Sequence, residues 1–311
     1  MTRVTHRAER AGAALAVLIT ALLAASPSAR AQAWIREPGH AYAKLGYRLI
    51  RASSLYGPDG QRRPVGDGYR QHALGFYTEV GVVPRWLALS LDGDLFRRSV
   101  LVQQGATAGL GDLRIGAYTG LLTAPFRLAL GVQVGLPTGD PSPSAGAGAS
   151  VEDQFVARAL PTGDGELDVA LRVYAGHSFH GGRRWPFAHY VIAELGLWAR
   201  GLAYRQGRPE GLSAGEQMQL VYRAELGTSP VRERWDRLQL VLRLVGVTPF
   251  RNSGVSSTVG LGASVRFVSP GVELSVRVAS TFRLGFSADG AIVAANVPAG
   301  VNWQLYVSAE R

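Results

Sequence analysis

The chain has 311 residues, of which 47% are hydrophobic and 18% charged, with 39 glycines and no cysteine. This composition excludes a disordered chain, a coiled coil and a disulfide scaffold, and the lack of thiols excludes cysteine nucleophiles and thiolate metal sites. The net charge of +10 comes almost entirely from arginine, since Lys44 is the only lysine. No stripe of basic and aromatic residues accompanies that charge, so we expect no nucleic-acid partner.

The first residues have the pattern of an export signal. Arg3, Arg7 and Arg10 precede an uncharged run from 11 to 25, and the alanines at 29, 31 and 33 offer two A-x-A cleavage sites. The run is shorter than the roughly 20 residues of a membrane-spanning helix, so an uncleaved anchor is the weaker alternative. We predict a cleaved signal peptide at 1–31, or 1–33 if the second site is used, and a mature domain at 32–311.

Beyond the signal, apolar residues recur at every second position. The pattern is clearest at 127–136, 237–244 and 272–279, where helical spacing fits poorly and a strand with one apolar face fits well. The segment 216–227 is also compatible with a helix by itself. Clear and weak patterns together predict twelve strands, at 41–53, 70–82, 86–96, 112–122, 127–136, 167–175, 190–200, 216–227, 237–244, 258–267, 272–279 and 301–308.

The links between these strands alternate in length. Long links rich in Gly, Pro, Ser, Asn and Asp fall at 54–67, 97–110, 137–166, 201–215, 248–256 and 285–300, and short ones at 83–85, 123–125, 180–187, 228–235 and 269–271. An even strand number with short and long links in alternation is typical of an outer-membrane β-barrel with short periplasmic turns and long extracellular loops. We therefore predict an all-β, single antiparallel transmembrane barrel in the outer membrane of a Gram-negative bacterium.

A secreted, soluble β-sandwich would alternate its faces in the same way, and periodicity alone does not separate the two folds. The export signal, the missing cysteines and the alternating links favour the barrel. Aromatic residues beside the short links suggest a girdle at the periplasmic interface, with Phe126 and Phe267 on the outward parity. Trp86 falls on the polar parity, so a turn-packing aromatic is the equal alternative for it. In the barrel, outer-membrane lipid is the expected partner of the apolar face.

The polar face of such a barrel lines the lumen, because an arginine that faces lipid at the midplane costs roughly 2 to 4 kcal/mol. Arg172, Arg243 and Arg277 are expected near mid-strand. Two interpretations stay open: the charges form ion pairs that stiffen the wall, or they form a path for a small solute. The lumen-lining candidates are Arg127, Gln133, Arg172, Arg243, Arg277, Glu273, Asp92 and Asp94, within a wider set that includes Lys44, Arg48, Arg114, Asp168, Arg223, Glu225, Arg266 and Arg283.

An outer-membrane lipid hydrolase is the enzymatic alternative. His177, Ser178 and His180 lie close in sequence, but neighbouring residues of a strand point to opposite faces, so His177 and Ser178 do not form a nucleophile and base pair. The Gly-rich stretch 140–149 lacks the Lys and Ser/Thr of a phosphate-binding loop. We expect no catalytic residues, no cofactor and no metal, and the sequence does not set the oligomeric state.

Three glycine-containing motifs lie in the first half of the chain. Gly109-Leu-Gly-Asp-Leu113 precedes one strand, Leu136-Pro-Thr-Gly-Asp140 closes the next, and Leu160-Pro-Thr-Gly-Asp164 precedes the third. Over 109–175 this succession resembles the outer-membrane proteins of the meta-pathway phenol-degradation family. The resemblance implies a barrel of about twelve strands that acts as a passive channel or transporter for small hydrophobic or aromatic solutes, and it carries over no catalytic residue. A purely structural barrel is the alternative within the same fold.

Overall fold

The structure is a computed structural model that describes residues 35–101, 105–124, 126–140, 162–180, 188–204, 218–230, 237–250 and 265–311. The predicted signal peptide lies outside these residues. Among them, no helix is long and apolar enough to cross a membrane. The strands are β1 (Ala41–Tyr56), β2 (Arg62–Val83), β3 (Leu87–Leu101), β4 (Gly105–Gly109), β5 (Leu113–Leu122), β6 (Arg127–Leu136), β7 (Glu166–His180), β8 (Ala188–Tyr204), β9 (Met218–Ser229), β10 (Leu238–Pro249), β11 (Arg266–Arg277), β12 (Phe282–Gly290), β13 (Val293–Ala295), β14 (Val297–Pro298) and β15 (Val301–Glu310).

Twelve of these strands form one closed antiparallel ring. Each pairs with its neighbour in the order β1, β2, β3, β5, β6, β7, β8, β9, β10, β11, β12, β15, and β15 pairs with β1. The short strands β4, β13 and β14 add to β3, β11 and β1. The predicted all-β barrel of twelve strands is confirmed. Of the segment 216–227, which was compatible with a helix, the described residues 218–227 belong to strand β9.

The two faces of the wall differ as the alternation predicts. In β6, Leu130 and Val132 are exposed while Ala129 and Gln133 are buried. The exposed aliphatic face is the outer face of the ring, because the alternate positions carry the polar side chains that contact one another across the interior. The outer face continues in β15, where Leu305 is 60% exposed.

The last quarter of the predicted strand order is wrong in detail. The predicted turn 269–271 lies inside β11, and β12 at Phe282–Gly290 was not predicted. Pro270 pairs on one side with Leu244 of β10. On its other side there is a gap in the pairing, because β12 pairs only from Gly271 and β13 only up to Val268. Proline lacks an amide proton, and this gap is a place where no ladder hydrogen bond is required. The predicted strand 258–267 falls largely outside the described residues.

The misplaced turn also explains the error for Phe267. It was expected in a periplasmic girdle, but it packs on a buried cluster of Tyr56, Val265, Ala294 and Val297, beside the loop end of β1. Phe126, in contrast, is exposed and packs on His177, with ring centroids 4.7 Å apart, beside the turn that follows β5. The girdle interpretation therefore applies to Phe126 and not to Phe267.

Two predicted long loops are largely strand. β1 continues to Tyr56 and β2 begins at Arg62, while β3 continues to Leu101 and β4 follows from Gly105. These extensions mix polar, small and apolar side chains on both faces, so the period-two signal fades although the backbone pairing continues. A sequence reading based on apolar alternation detects the part of a strand that needs an apolar face and misses the rest.

Part of the high glycine content matches tyrosines on neighbouring strands. Gly131 lies directly opposite Tyr118, and a Cβ at position 131 would come within 2.6 Å of that ring. Tyr306 covers Gly285 in the same way, from the opposite position in the adjoining strand. An aromatic ring laid over a glycine shields the backbone and fixes strand register, so these glycines are needed for close approach.

Candidate functional site in the barrel interior

The densest charged group of the interior lies on β1, β3 and β5, and we call it the Asp94 cluster: Arg48, Asp92, Asp94, Arg97 and Arg114. Asp94 accepts hydrogen bonds from Arg48, at 2.7 and 2.8 Å, and from Arg97, at 2.7 and 2.9 Å. Asp92 accepts one from Arg114 at 2.8 Å. With three guanidinium groups and two carboxylates, the cluster carries a formal excess of one positive charge.

Gln133 extends this cluster onto β6, because its amide nitrogen donates to the second oxygen of Asp92 at 2.9 Å. Asp92 is therefore held on both oxygens. The strand register explains the contact. Asp92 lies opposite Arg114 of β5, and Arg114 lies opposite Gly135 of β6. Gln133 is two residues before Gly135 and therefore on the same face of β6. On its other side Gly135 lies opposite Asp168, whose Cβ would come within 3.2 Å of a Cβ at position 135.

A second group, the Glu273 cluster, joins strands that are not neighbours. Glu273 of β11 pairs with Arg243 of β10 at 3.2 Å and with Lys44 of β1 at 3.6 Å, and it accepts a hydrogen bond from the hydroxyl of Tyr306 at 2.6 Å. Arg243 also pairs with Asp289 at 3.3 Å. Since β12 and β15 separate β11 from β1, the contact with Lys44 spans part of the interior and not only the wall.

A third group, the Glu194 cluster, lies on β7, β8 and β9. Glu194 pairs with Arg172 and, at 3.1 Å, with Arg223, which also lies 3.6 Å from Glu225. Two cations and two carboxylates balance here, as they do in the Glu273 cluster. Only the Asp94 cluster is left with an excess cation, and it is the place in these three groups where an additional anion is favoured.

The charged side chains differ in how much of their surface stays accessible. Arg114 is 44% exposed and Arg48 33%, although both are ion-paired, whereas Arg172 and Arg243 are 19% and 16% exposed. Because these positions lie on the inner face, the accessible surface of Arg114 and Arg48 faces the lumen. The two arginines of the Asp94 cluster are thus better placed to meet a solute than the mid-strand arginines of β7 and β10.

The structure brings some predicted lumen residues together and separates others. Asp92 contacts Gln133, and Arg243 contacts Glu273. Arg127 is half-buried at the first residue of β6. Arg277 was expected near mid-strand, but it is the last residue of β11, because that strand begins at Arg266 and ends where the turn to β12 starts. It lines a cavity with Ser275, Arg283 and other polar residues at that end of the barrel.

Several partners were missed, for two reasons. Glu194 and Asp289 lie on the inner parity of their strands, so a full count of alternate positions would have found Glu194, while Asp289 lies on the strand that was not predicted. Arg97 and Asp94 are three residues apart in β3, a spacing that places side chains on opposite faces of a regular strand. They nevertheless contact each other, because the pairing of β2 with β3 shifts at a bulge between Leu74 and Gly75. A bulge moves later side chains to the other face, and the sequence gives no sign of it.

The Thr-Gly-Asp motifs meet at the loop end of the barrel. One carboxylate oxygen of Asp112 accepts the amide N–H of Gly139 and the other accepts that of Asp164, each at 2.9 Å. The amide of Asp140 donates to the hydroxyl of Thr162 at 2.9 Å. Burial, followed by repulsion from Asp164, raises the pKa of Asp112 to about 6. The motifs that carried the family resemblance therefore close the base of the long segment between β6 and β7.

A buried arginine pairs with the three acidic residues beside this junction. Asp164, Glu166 and Asp168 are the one carboxylate group among the described residues that is close enough together to ligate a metal. Arg200 pairs with Asp164, with Glu166 at 3.2 Å and with Asp168 at 3.9 Å. Its guanidinium group also lies 4.6 Å from the ring of Trp198. The arginine occupies the position that a cation would take.

At the opposite end, the residues before β1 cross the mouth of the barrel. Arg36 is buried and pairs with Glu79 of β2 at 3.1 Å and with Glu310 of β15 at 2.7 Å. Ile35 packs against the buried cluster of Tyr118, Ala129, Tyr174 and Ile192. The segment is thereby fixed over strands β2 and β15 and over the aromatic layer of the interior.

His177, one of the two histidines that raised the enzymatic alternative, lies in an aromatic row. His177 stacks against Phe179, which stacks against His189, with ring centroids 6.1 and 5.3 Å apart. These rings and Phe126 occupy the outer face beside the turns. Amphipathic rings are most stable where a hydrocarbon layer meets its polar boundary, so the row has the arrangement of an interfacial girdle.

No protein-family model matches the chain, and no curated protein matches it in sequence. Its structure is similar to the crystal structure of an outer-membrane channel from Pseudomonas putida F1, with a TM-score of 0.59 and 14% identity over 92% of this chain and 100% of that chain. Two further similar structures are the monoaromatic hydrocarbon channel CymD (TM-score 0.43, 10% identity, 89% of each chain) and the β domain of the Bordetella autotransporter BrkA (TM-score 0.45, 13% identity, 87% and 100%).

At 14% identity, the similarity to the Pseudomonas putida channel establishes the fold alone. The closed ring, its aliphatic outer face and its charged interior define the chain as having the fold of an outer-membrane β-barrel. The resemblance to the phenol-degradation family rests on residues 109–175.

Proposed function

We propose that the protein is a passive outer-membrane channel for small solutes that combine an aromatic or apolar body with an anionic group. The observation that carries this proposal is the Asp94 cluster, an excess of arginine whose members Arg48 and Arg114 keep accessible surface inside a closed barrel. Similarity of fold to an outer-membrane channel supports the membrane setting, but a fold alone does not specify what passes through it.

The chemistry of the cluster favours this solute class. A guanidinium group binds a carboxylate with two parallel hydrogen bonds and also stacks on an aromatic ring, whereas an ammonium group acts as a point charge. An arginine that is already bonded to an aspartate can exchange part of that contact for a passing anion without becoming unpaired. Such exchange allows weak binding, which a passive channel needs in order to release its solute.

A purely structural barrel is the second candidate, and the ion pairs themselves favour it. The Glu273 and Glu194 clusters are balanced in charge and join several strands, as expected of groups that stiffen a wall. Removing one member of such a buried pair leaves its partner uncompensated and destabilises the protein. The two candidates therefore differ in what is lost when a lumen arginine is neutralised.

Ion selectivity in a planar bilayer separates these candidates. In a potassium chloride gradient, we expect the wild-type protein to show a reversal potential on the anion-selective side. The double variant Arg48→Gln/Arg114→Gln should shift it toward cations while the heat-modifiable folded band remains. Arg63→Gln is the matched control, since Arg63 lies at the start of β2, beside the turn from β1, and pairs with exposed Asp59. A double variant with unchanged selectivity and a lower unfolding temperature would support the structural barrel instead.

Placing the barrel in the outer membrane also implies an orientation. The Ala41 amide bonds the carbonyl of Arg311 at 3.0 Å, so β1 begins where β15 ends, at the end of the barrel that also carries the turn at Pro84. We place this end in the periplasm and the junction at Asp112 on the extracellular side, because short turns are periplasmic in such barrels.

A further inference from the structure

Three arginines break the apolar character of the outer face, and we call them the outer arginine cluster: Arg51 of β1, Arg70 of β2 and Arg98 of β3. All three are exposed. Arg51 follows Leu45 and Tyr47 on the same parity of its strand, and both of those side chains are exposed on the outer face. The strand periodicity therefore directs Arg51 outward, and the register carries Arg70 to the same face.

The register brings these cations together. Arg51 lies directly opposite Arg70, and Arg98 lies directly opposite His72, which follows Arg70 by two residues on the same face of β2. The ring of His72 is hydrogen-bonded to the hydroxyl of Tyr47. Like charges directly opposite each other in an antiparallel pair are destabilising, so the arrangement calls for an anion between the strands.

The described part of the protein does not supply that anion. Each ion pair found among the described residues of the wall involves other cations, and no described carboxylate lies within 4.0 Å of the guanidinium nitrogens of the outer arginine cluster. Lumen arginines such as Arg48 and Arg114, in contrast, each have an aspartate. These two inner arginines are paired, whereas the outer ones are exposed and have no described carboxylate partner.

The height of the cluster on the wall identifies the anion. From Ala41 at the turn end to Arg51 is ten residues along β1, or about 25 Å along the barrel axis at 3.3 Å per residue and a tilt of about 40°. An outer-membrane barrel has an apolar band of about that height. One pleat lower, Leu49 lies opposite Trp303, an interfacial type of residue. The arginines thus lie at the upper edge of the band, level with lipid head groups.

We propose that the outer arginine cluster binds the phosphate groups of the phosphorylated glycolipid that forms the outer leaflet of the outer membrane. Arginine binds phosphate through paired, charge-assisted hydrogen bonds, and the hydrogen-bonded pair of His72 and Tyr47 leaves one further donor beside it. The acyl chains of the same lipid pack on the aliphatic face directly below, which a free phosphate ion does not do. The site rests on the proposed orientation and not on the proposed transport.

Thermal unfolding of the detergent-folded protein with added lipid tests this site. The probes are lipid A with both phosphates, lipid A with its phosphates removed, and inorganic phosphate. We expect the bisphosphorylated lipid to raise the unfolding temperature at a concentration at least about tenfold lower than the dephosphorylated lipid, and inorganic phosphate to have no effect. In the variant Arg51→Gln/Arg70→Gln/Arg98→Gln, that preference should be lost.

Two further variants keep the result interpretable. Arg51→Lys/Arg70→Lys/Arg98→Lys retains the charge and should retain most of the binding, which shows that the wall folds after substitution. Arg63→Gln/Arg85→Gln/Arg237→Gln removes the same charge from exposed positions outside the outer arginine cluster and should bind as the wild type does. Equal binding by the wild type and the outer-cluster glutamine variant, or equal stabilisation by inorganic phosphate, overturns the proposal. Failure of whole-cell labelling to place the β1–β2 hairpin at Asp59 outside would instead overturn the orientation.

Discussion

A charge placed on either side of one strand should distinguish the two faces of the wall. Leu305 lies five residues from Glu310, the end of β15, which places it about 13 Å above that end and near the midplane of a band about 25 Å high. An arginine there costs roughly 2 to 4 kcal/mol, so Leu305→Arg should lower the folding equilibrium constant by about 30-fold to 900-fold. Leu305→Met, which keeps an apolar side chain of similar volume, should cost less than about 1.5 kcal/mol.

The adjacent residue is the matched control. Gln304 lies on the inner face directly opposite Arg48 of β1, so Gln304→Glu introduces a carboxylate of the same shape beside a cation. We expect its stability to stay within about 1 kcal/mol of the wild type. Equilibrium unfolding in guanidinium chloride after refolding into lipid vesicles, with heat-modifiable gel mobility as the folding assay, measures both. Equal losses at 304 and 305, or a larger loss at 304, would show that the exposed aliphatic face does not contact lipid.

Three further outcomes follow from the geometry. A cysteine at Asp59 should react with an impermeant thiol reagent on whole cells and one at Arg85 should not; the reverse labelling would invert the proposed orientation. Gly285→Ala should destabilise the barrel by about 1 to 3 kcal/mol because its Cβ overlaps a tyrosine ring, whereas Gly290→Ala, whose Cβ meets nothing closer than 3.7 Å, should cost less than about 1 kcal/mol. The folded pKa of Asp112, about 6, exceeds its ordinary 3.8, so the folded state holds this proton more tightly. Protection of the loop-base amides from hydrogen exchange should therefore fall as pH rises from 4 to 7, and Asp112→Asn, if it shows the same slope, would contradict the assignment.

The sequence was sufficient to predict the barrel architecture of the wall, but not every strand in it and not the side-chain contacts of the interior. Period-two alternation, as at Leu130 and Val132, reflects a physical requirement for one apolar face, and it predicted the barrel and its even strand number. It failed where that requirement is absent, in the polar upper parts of β1 to β3, and where a proline was read as a turn. Pro270 lies in a strand because the ladder is interrupted on one side of it.

The interior was predictable in residue type but not in partnership. Parity placed Asp92, Arg172, Arg243 and Glu273 among the lumen candidates, yet which carboxylate meets which cation depends on register between strands and on reach across the barrel. The contact of Lys44 with Glu273 joins residues 229 positions apart in the chain. The contact between Asp94 and Arg97, which are three residues apart in the same strand, depends on a bulge. No local pattern encodes either relation.

Solute flux into proteoliposomes tests the central claim, a channel for anionic aromatic solutes, most directly. Benzenesulfonate is a permanent anion with an aromatic ring, and methanesulfonate is the smaller anion without the ring. We expect the wild-type protein to admit benzenesulfonate faster than methanesulfonate, although it is the larger solute, and Arg48→Gln/Arg114→Gln to slow benzenesulfonate by about tenfold or more. Wild-type flux of benzenesulfonate no faster than that of protein-free vesicles, with the barrel folded, would contradict the account.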